Sequence, residues 1–199
     1  MKLAISSLLL VWMAVQVAAG QTSTPQSELF LVRISDVQVN MTPTAGPNTV
    51  GNCMVVYPGG RSYLELHRQE FFYGSASVVG YEGKLSAQEL TYLRAILDSA
   101  AVKSLLPFPM PTLPMASHDF WSFIAEIQRG TEVQKVGTLA WQGRAPKNSE
   151  EHQSAWEHAG LVLQPLIQWA RSVKSIKPPE WQEMTPAARI AVVDPVCIP

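Results

Sequence analysis

The sequence predicts an α+β domain in which an antiparallel sheet, built from β-hairpins, carries two helices packed on one face. Three observations predict this fold. Short β-rich runs come in pairs around glycine-containing turns, one helix start carries a capping signature, and a later stretch has apolar residues at helical spacing. The chain of 199 residues is long enough for one domain with its own core.

The N-terminal residues have the layout of a secretory signal peptide. A positive start precedes an apolar run that ends in the small residues Ala18, Ala19 and Gly20. The run is short for a membrane span, which needs about 20 apolar residues. We therefore expect a signal peptide over residues 1–19, a secreted or periplasmic location and no membrane span after signal removal; an uncleaved N-terminal anchor is the alternative.

The mature chain is expected to form one domain. A flexible segment over residues 20–26 precedes an α+β domain over 27–175, and an irregular C-terminal tail over 176–199 packs back on the domain. The formal net charge is −1 at pH 7, and no stretch clusters basic with aromatic residues. Because nucleic-acid binders carry such a basic footprint, we expect no nucleic-acid partner.

The first half of the chain predicts strands. A run from Glu28 to Val39 reads as the first strand, and residues 41–52 are rich in turn formers and read as a loop. Two β-rich runs, 53–57 and 61–69, flank Pro58-Gly59-Gly60 and predict a hairpin. A phosphate loop would lead into a helix, whereas these glycines lead into alternating strand residues. The glycines therefore mark a turn, with Arg61 a solvated charge beside it.

A helix is predicted after a further strand near residues 75–81. Ser86 and Glu89 have the spacing of a capping box, and Leu85 with Leu90 has the spacing of a hydrophobic staple. Apolar residues then recur every three or four positions as far as Ala100, which gives the helix one apolar face.

The second half predicts another hairpin and another helix. The hairpin turns near Arg129-Gly130, and its first strand alternates. Four of its residues are expected to face the core: Trp121, Phe123, Ala125 and Ile127. Five are expected to face outward: Phe120, Ser122, Ile124, Glu126 and Gln128. The helix is expected from about 149 to 176, kinked or split by Pro165, which lacks an N–H.

Catalytic motifs are missing from the sequence. It contains no G-x-S-x-G, S-x-x-K, H-E-x-x-H, C-x-x-C or nucleotide-binding glycine loop. Adjacent His118 and Asp119 point to opposite sides of a strand and cannot orient each other. Glu151, His152 and His158 do not converge on one helix face, so we expect neither a metal nor a cofactor.

The stretch from residue 53 to 100 resembles a group of uncharacterised, signal-peptide-bearing bacterial proteins. The shared pattern is a Y-x-x-G-R hairpin followed by an L-S-x-x-E-L-x-x-L helix, and this sequence matches it at eight positions: Tyr57, Gly60, Arg61, Leu85, Ser86, Glu89, Leu90 and Leu93. The resemblance implies a secreted bacterial α+β domain and assigns no catalytic residue. In a non-bacterial source, Asn40-Met41-Thr42 would instead be a glycosylation sequon.

A proline-rich loop over residues 106–115 is a candidate partner-binding segment. Its prolines alternate with Phe108, Met110, Leu113 and Met115, and extended chain of this kind loses little entropy on binding. The alternative is that these four side chains cover the protein's own core.

Cys53 and Cys197 are the two cysteines of the chain. Export places both in a compartment where disulfides form, so we expect them to pair within one chain. Intermolecular pairing, free thiols and use of Cys53 as a nucleophile are the alternatives.

The sequence therefore predicts an exported, non-catalytic domain that binds a protein or a cell-envelope component. The alternatives are an exported hydrolase with an unrecognised site and a secreted enzyme inhibitor that uses the 106–115 loop. Whether the protein has any enzymatic activity is left open.

Overall fold

A computed structural model describes residues 29–42, 46–70, 76–109, 119–141, 150–176 and 182–183. Six of its strands are nine to eleven residues long: β1 Val32–Thr42, β2 Gly46–Val56, β3 Arg61–Glu70, β4 Ala76–Lys84, β5 Phe120–Arg129 and β6 Glu132–Trp141. The short strand β7 is Gln182–Glu183, and the helices are α1 Ala87–Leu97, α2 Ala100–Lys103 and α3 Glu150–Ile176.

The strands form one antiparallel sheet in the order β6-β5-β1-β2-β3-β4-β7. This arrangement, together with the helices, confirms the predicted α+β class. The sheet is built largely from hairpin-linked neighbours, with β1 lying between β2 and β5. β7 pairs with β4 at two positions, so a short piece of the predicted irregular tail is a strand.

Both predicted hairpin turns are present. Gly60 has a φ of 86° and its N–H donates to the carbonyl of Tyr57, and the N–H of Tyr57 donates to the carbonyl of Arg61. Gly130, in the second turn, has a φ of 66°. Because only glycine adopts such angles easily, these residues turn the chain, and the Gly-Gly-Arg segment leads into β3 as predicted.

The prediction that residues 41–52 form a loop is wrong for most of these residues. β2 begins at Gly46 and is paired with β1 on one side and, from Asn48, with β3 on the other. Pairing on both sides satisfies the backbone groups of these turn-forming residues, which overrides their low intrinsic preference for a strand.

The start of α1 follows the sequence closely, but its length does not. Ser86 and Glu89 form the expected capping box. α1 ends at Leu97, where Ser99 begins the separate turn α2 by accepting from the N–H of Val102. The side chain of Ser99 therefore divides what the periodicity alone presents as one helix.

α3 runs without interruption through Pro165, so of the predicted kink or split the split is excluded, and the kink stays a prediction. A proline at this position removes the hydrogen bond to the carbonyl of Leu161. Leu161 and Pro165 both lie on the exposed side of α3, where water can bond the freed carbonyl. The helix can therefore tolerate the proline.

The strand registers divide the sheet into two faces. Ile34, Met54 and Leu64 are paired across β1, β2 and β3 and lie on what we term the first face. Cys53, Val55 and Tyr63 alternate with them and lie on the second face. The largest core cluster joins the first-face residues to Leu93 and Leu97 of α1 and to Leu163, Leu166 and Ile167 of α3.

The prediction that one side of β5 faces outward is wrong at its start. Phe123, Ala125 and Ile127 are buried as expected, but Phe120 and Ser122, on the opposite side, are buried as well. Phe120 packs with Val37, Val39 and Leu139 in a second cluster that also contains Phe108 and Trp156. Both faces of the sheet are therefore covered near Phe120. Alternation along β5 shows which side chains share a face, but it does not show whether a second layer covers that face.

Phe108 packs at the edge of the sheet over a glycine. Its N–H donates to the carbonyl of Lys135 in β6, 2.9 Å away, and its ring lies 6.2 Å from that of Trp156, centroid to centroid. A methyl group on Gly137 would lie 3.1 Å from Cδ2 of Phe108 and 2.7 Å from the carbonyl oxygen of Phe123. Gly137 is therefore required by close packing.

We expect Gly137→Ala to lower the free energy of unfolding by about 1–3 kcal/mol, because the added methyl group must displace the Phe108 ring and the Phe123 backbone. Gly59→Ala is the matched control, since a methyl group there meets nothing within 4 Å. Urea denaturation of the two variants measures the difference. Equal stabilities would contradict the packing that the structure shows.

Candidate functional site

Three polar side chains of β3 form a cluster on the second face. Glu65 is almost fully buried; its carboxylate accepts a hydrogen bond of 2.7 Å from the hydroxyl of Tyr63 and lies 2.9 Å from Nε2 of His67. Residues 63, 65 and 67 share a face because side chains alternate along a strand. We call Tyr63, Glu65 and His67 the Glu65 cluster.

The Glu65 cluster can hold a proton-transfer group in a fixed orientation. A carboxylate that contacts one nitrogen of an imidazole orients the ring and leaves the other nitrogen for a ligand. The side chain of His67 is 23% exposed whereas that of Glu65 is 5% exposed, so the ring is the accessible member of the pair. In this arrangement Glu65 orients the His67 ring.

Cys53 lies directly beside the Glu65 cluster. It is paired with Glu65 across β2 and β3 and with Ser35 across β1 and β2, and it is buried with Val55 and Tyr63. Cys53 is not a free thiol in the part of the chain that the structure describes. Its predicted partner, Cys197, lies outside the described residues.

A second polar group occupies the first face. The indole N–H of Trp121 donates to the carboxylate of Asp36 over 2.5 Å. Nε of Arg171, on α3, lies 3.6 Å from the other carboxylate oxygen, and the guanidinium stands 4.9 Å from the centre of the Trp121 ring. Arg171 is therefore held in place by both an ion pair and a cation–π contact.

A pocket opens beside Asp36, between the sheet and α3. Its volume is about 10 Å³, and it is lined by Ile34, Asp36, Asn52, Met54, Leu64 and Ala170. The lining is apolar apart from Asp36 and Asn52, which are paired across β1 and β2. A cavity of this size has room for about one water molecule, so it can receive no more than a very small group.

The candidate partner-binding residues are only partly described. Phe108 is buried and packs against Trp156, as expected if the loop covers the core. Its neighbour Leu106 is 82% exposed. Met110, Leu113 and Met115 lie outside the described residues, so the role predicted for them stays a prediction.

The other titratable residues named from the sequence do not converge. Glu151 and His152 are neighbours 3.2 Å apart on the surface of α3. Within the described ranges, no three His, Cys, Asp or Glu side chains are grouped so as to hold a metal ion. His118 lies outside those ranges.

Arg129 connects the second hairpin to the end of α1. It donates to the carbonyl of Leu97 over 2.7 Å, and it also contacts Asp98 and Gln134. Burial lowers the pKa of the Arg129 guanidinium from its ordinary value, and the charge of Asp98 opposes that change. These contacts position a helix and a hairpin, so they are structural.

Sequence reasoning missed both polar groups. The alternation of Tyr63, Glu65 and His67 is visible in the sequence, and it places the three on one face. Their burial is not visible, because it depends on what covers that face. The link between Asp36 and Arg171 joins β1 to α3 across more than a hundred residues, and no local pattern indicates it.

No family model, curated protein or solved structure matches this chain. The resemblance of residues 53–100 to uncharacterised bacterial proteins therefore stays a prediction. The helices that the structure describes include none that is both long enough and apolar enough to cross a membrane.

We expect Glu65→Ala to lower the free energy of unfolding by about 1–3 kcal/mol, because the buried hydroxyl of Tyr63 and the ring of His67 lose their shared acceptor. Glu65→Gln keeps one acceptor oxygen and should lower the free energy of unfolding by less than Glu65→Ala does. Thermal or urea unfolding compares the two. If Glu65→Ala were as stable as the parent, the cluster would contribute nothing to the fold.

Proposed function

We propose that this protein is an exported, non-catalytic domain that binds a protein or a cell-envelope component, with the pocket beside Asp36 as its contact site. The observation that carries the proposal is a small apolar opening that Asp36 and Asn52 also line, with Arg171 in contact with Asp36. Apolar pockets with a few oriented polar groups are typical of binding sites.

The geometry of the pocket favours a single anchoring group. Ile34, Met54 and Leu64 provide an apolar floor, and Asn52 offers both a donor and an acceptor at the rim. The side chain of Asn52 makes no hydrogen bond within the described part of the chain. A partner that placed a methyl-sized apolar group at the opening and a polar group at Asn52 would contact both the apolar and the polar lining.

The location and architecture belong to the same proposal. The signal-peptide layout of residues 1–19, which lie outside the described ranges, supports a secreted or periplasmic protein. Residues of α1, α2 and α3 share one core cluster with Ile34, Met54 and Leu64. This shared cluster supports packing of the helices on the first face.

A disulfide between Cys53 and Cys197 is also part of the proposal. Cys53 is not free in the described part of the chain, and Cys197 is the other cysteine of the sequence. Closing a loop of this length stabilises a domain by about 5 kcal/mol in the chain-entropy description. An exporting compartment supplies the oxidising conditions.

We expect Asn52→Leu to abolish binding without unfolding the domain, because the leucine fills the mouth of the pocket and removes its polar rim. Gln164→Leu is the matched control: it makes the same kind of change on the exposed side of α3. The measurement is affinity capture from the envelope of the source cell with parent and both variants as bait. A component that Asn52→Leu retains as well as the parent does not use the pocket, and that result would contradict the site.

An exported hydrolase is the second candidate, and the Glu65 cluster is the observation that favours it. Glu65 orients His67 as a carboxylate orients a general base. In a hydrolase, His67→Gln should lower kcat by at least about a hundredfold, since general-base catalysis contributes this much. Assays of the parent and the variant with ester, amide and glycoside substrates test this second candidate function. Absence of turnover by the parent would exclude hydrolysis of those substrates.

A further inference from the structure

Asp36 and Trp121 form a pair of groups that suits an organic cation. They lie on adjacent strands, β1 and β5, so the register of these strands sets their positions. The indole N–H of Trp121 donates to Oδ1 of Asp36, which fixes the orientation of the carboxylate beside the ring. A carboxylate next to an aromatic face attracts a cation both by its charge and by the quadrupole of the ring.

The guanidinium of Arg171 lies between these two groups in the structure. Nε of Arg171 is 3.6 Å from Oδ2 of Asp36, and Cζ is 4.9 Å from the centre of the Trp121 ring. Charge-assisted hydrogen bonds from nitrogen to oxygen are about 2.7–2.9 Å long, so the contact with Oδ2 is an ion pair at longer range. The side chain of Arg171 is 51% exposed and that of Asp36 is 14% exposed. The cation is therefore the accessible member of the pair, and the carboxylate is the enclosed one.

We propose that Asp36 and Trp121 form a binding site for the guanidinium of an arginine side chain on a partner protein, and that Arg171 fills this site until the partner binds. We call these two residues the Asp36–Trp121 site. The inference deepens the proposed function, on which it rests for the existence of a partner, by naming the group that the partner inserts.

The chemistry of the site favours a guanidinium over other cations. A planar guanidinium stacks on an aromatic face and presents several N–H groups to a carboxylate, whereas the ammonium group of lysine is a strongly hydrated point charge. Arg171 shows that the site accepts a guanidinium in both contacts at once. An incoming guanidinium that approached Oδ2 of Asp36 to hydrogen-bond distance would make a stronger contact than Arg171 makes there.

Exchange of Arg171 for the partner's guanidinium conserves the charge balance at Asp36. One cation leaves the carboxylate and another takes its place, so the enclosed carboxylate is not left without a counter-charge. Arg171 is half-exposed, so its guanidinium moves toward water and not into the core. Ion pairs and cation–π contacts of such exposed groups each contribute little to stability. The contact between Arg171 and Asp36 is therefore a weak competitor for the site.

The small opening beside Asp36 offers a second contact to the same partner. It is lined by Asn52 and by Ala170, the residue before Arg171. Asn52 is paired with Asp36 across β2 and β1, so the two side chains lie on one face about one strand spacing apart, roughly 4.8 Å. The amide oxygen of Asn52 can accept from an N–H group of the guanidinium that Asp36 does not bind. The opening and the Asp36–Trp121 site are therefore neighbouring parts of one surface.

The first test titrates the purified protein with N-acetyl-L-arginine methylamide and follows the indole N–H NMR signal of Trp121, which is assigned with Trp121→Phe. We expect Arg171→Ala to bind this compound at least about tenfold more tightly than the parent, because the internal cation no longer occupies the site. N-acetyl-L-citrulline methylamide is the control compound, since a neutral urea group of similar shape replaces the guanidinium. Arg33→Ala is the control variant, because Arg33 also combines an ion pair with a cation–π contact, on the second face.

Three results of the titration would each overturn the proposal: equal affinities of the parent and Arg171→Ala, equal binding of the citrulline compound, or the same gain in Arg33→Ala. Arg171→Gln keeps most of the side-chain length and should give the same gain, so this variant decides if Arg171→Ala does not fold. Asp36→Asn added to either variant should remove the binding, and retained binding would place the cation elsewhere and overturn the site.

The second test uses the component that the parent captures from the cell envelope. We expect the arginine compound to release it and the citrulline compound to leave it bound. A captured component that the arginine compound does not release would overturn the use of this site by the partner. Capture of nothing, with the titration as expected, would contradict the proposed function and not the cation site, so the two can fail separately.

Discussion

The register of β1 between β2 and β5 is the constraint on which the rest of the structure depends. Ile34 is paired with Met54 on one side and with Ala125 on the other, while Ser35 is paired with Cys53 and Ile124. A slip of one residue would move every side chain of β1 to the opposite face. It would expose Ile34 and separate Asp36 from Arg171 and Trp121.

That register also separates two kinds of chemistry. The first face places an apolar floor next to the ion pair of Asp36 with Arg171, and the second face places a buried carboxylate next to a cysteine. Because the sheet itself lies between them, the two polar groups cannot approach one another. Substitutions of the polar residues on one face can therefore be made without removing a contact on the other.

Local signals in the sequence predicted the turns, the capped start of α1, the second hairpin and the extent of α3. Each of these depends on residues within a few positions of each other, such as Ser86 with Glu89. The sequence did not reveal that residues 46–52 join a strand or that Phe120 is buried. These features depend on pairing and packing between distant segments, which a single sequence does not display.

The same limit applies to the candidate site. The i, i+2 spacing of Tyr63, Glu65 and His67 is enough, by itself, to place the three side chains on one face of a strand. That Glu65 is buried, and that Asp36 contacts α3, follow from tertiary packing alone. The two cysteines stand out in the sequence because few residue types have redox chemistry, whereas a glutamate in a strand is ordinarily a solvated charge.

The hydrogen bond from Phe108 to the carbonyl of Lys135 has a consequence for solubility. β6 is the outermost strand on its side of the sheet, and an uncovered outer strand offers a template for pairing with strands of other molecules. The segment after α2 occupies part of that template, and the Phe108 ring covers Gly137, where the strand has no side chain of its own. Among the described residues, the Phe108 ring and its backbone amide therefore occupy part of an edge that could otherwise pair with another molecule.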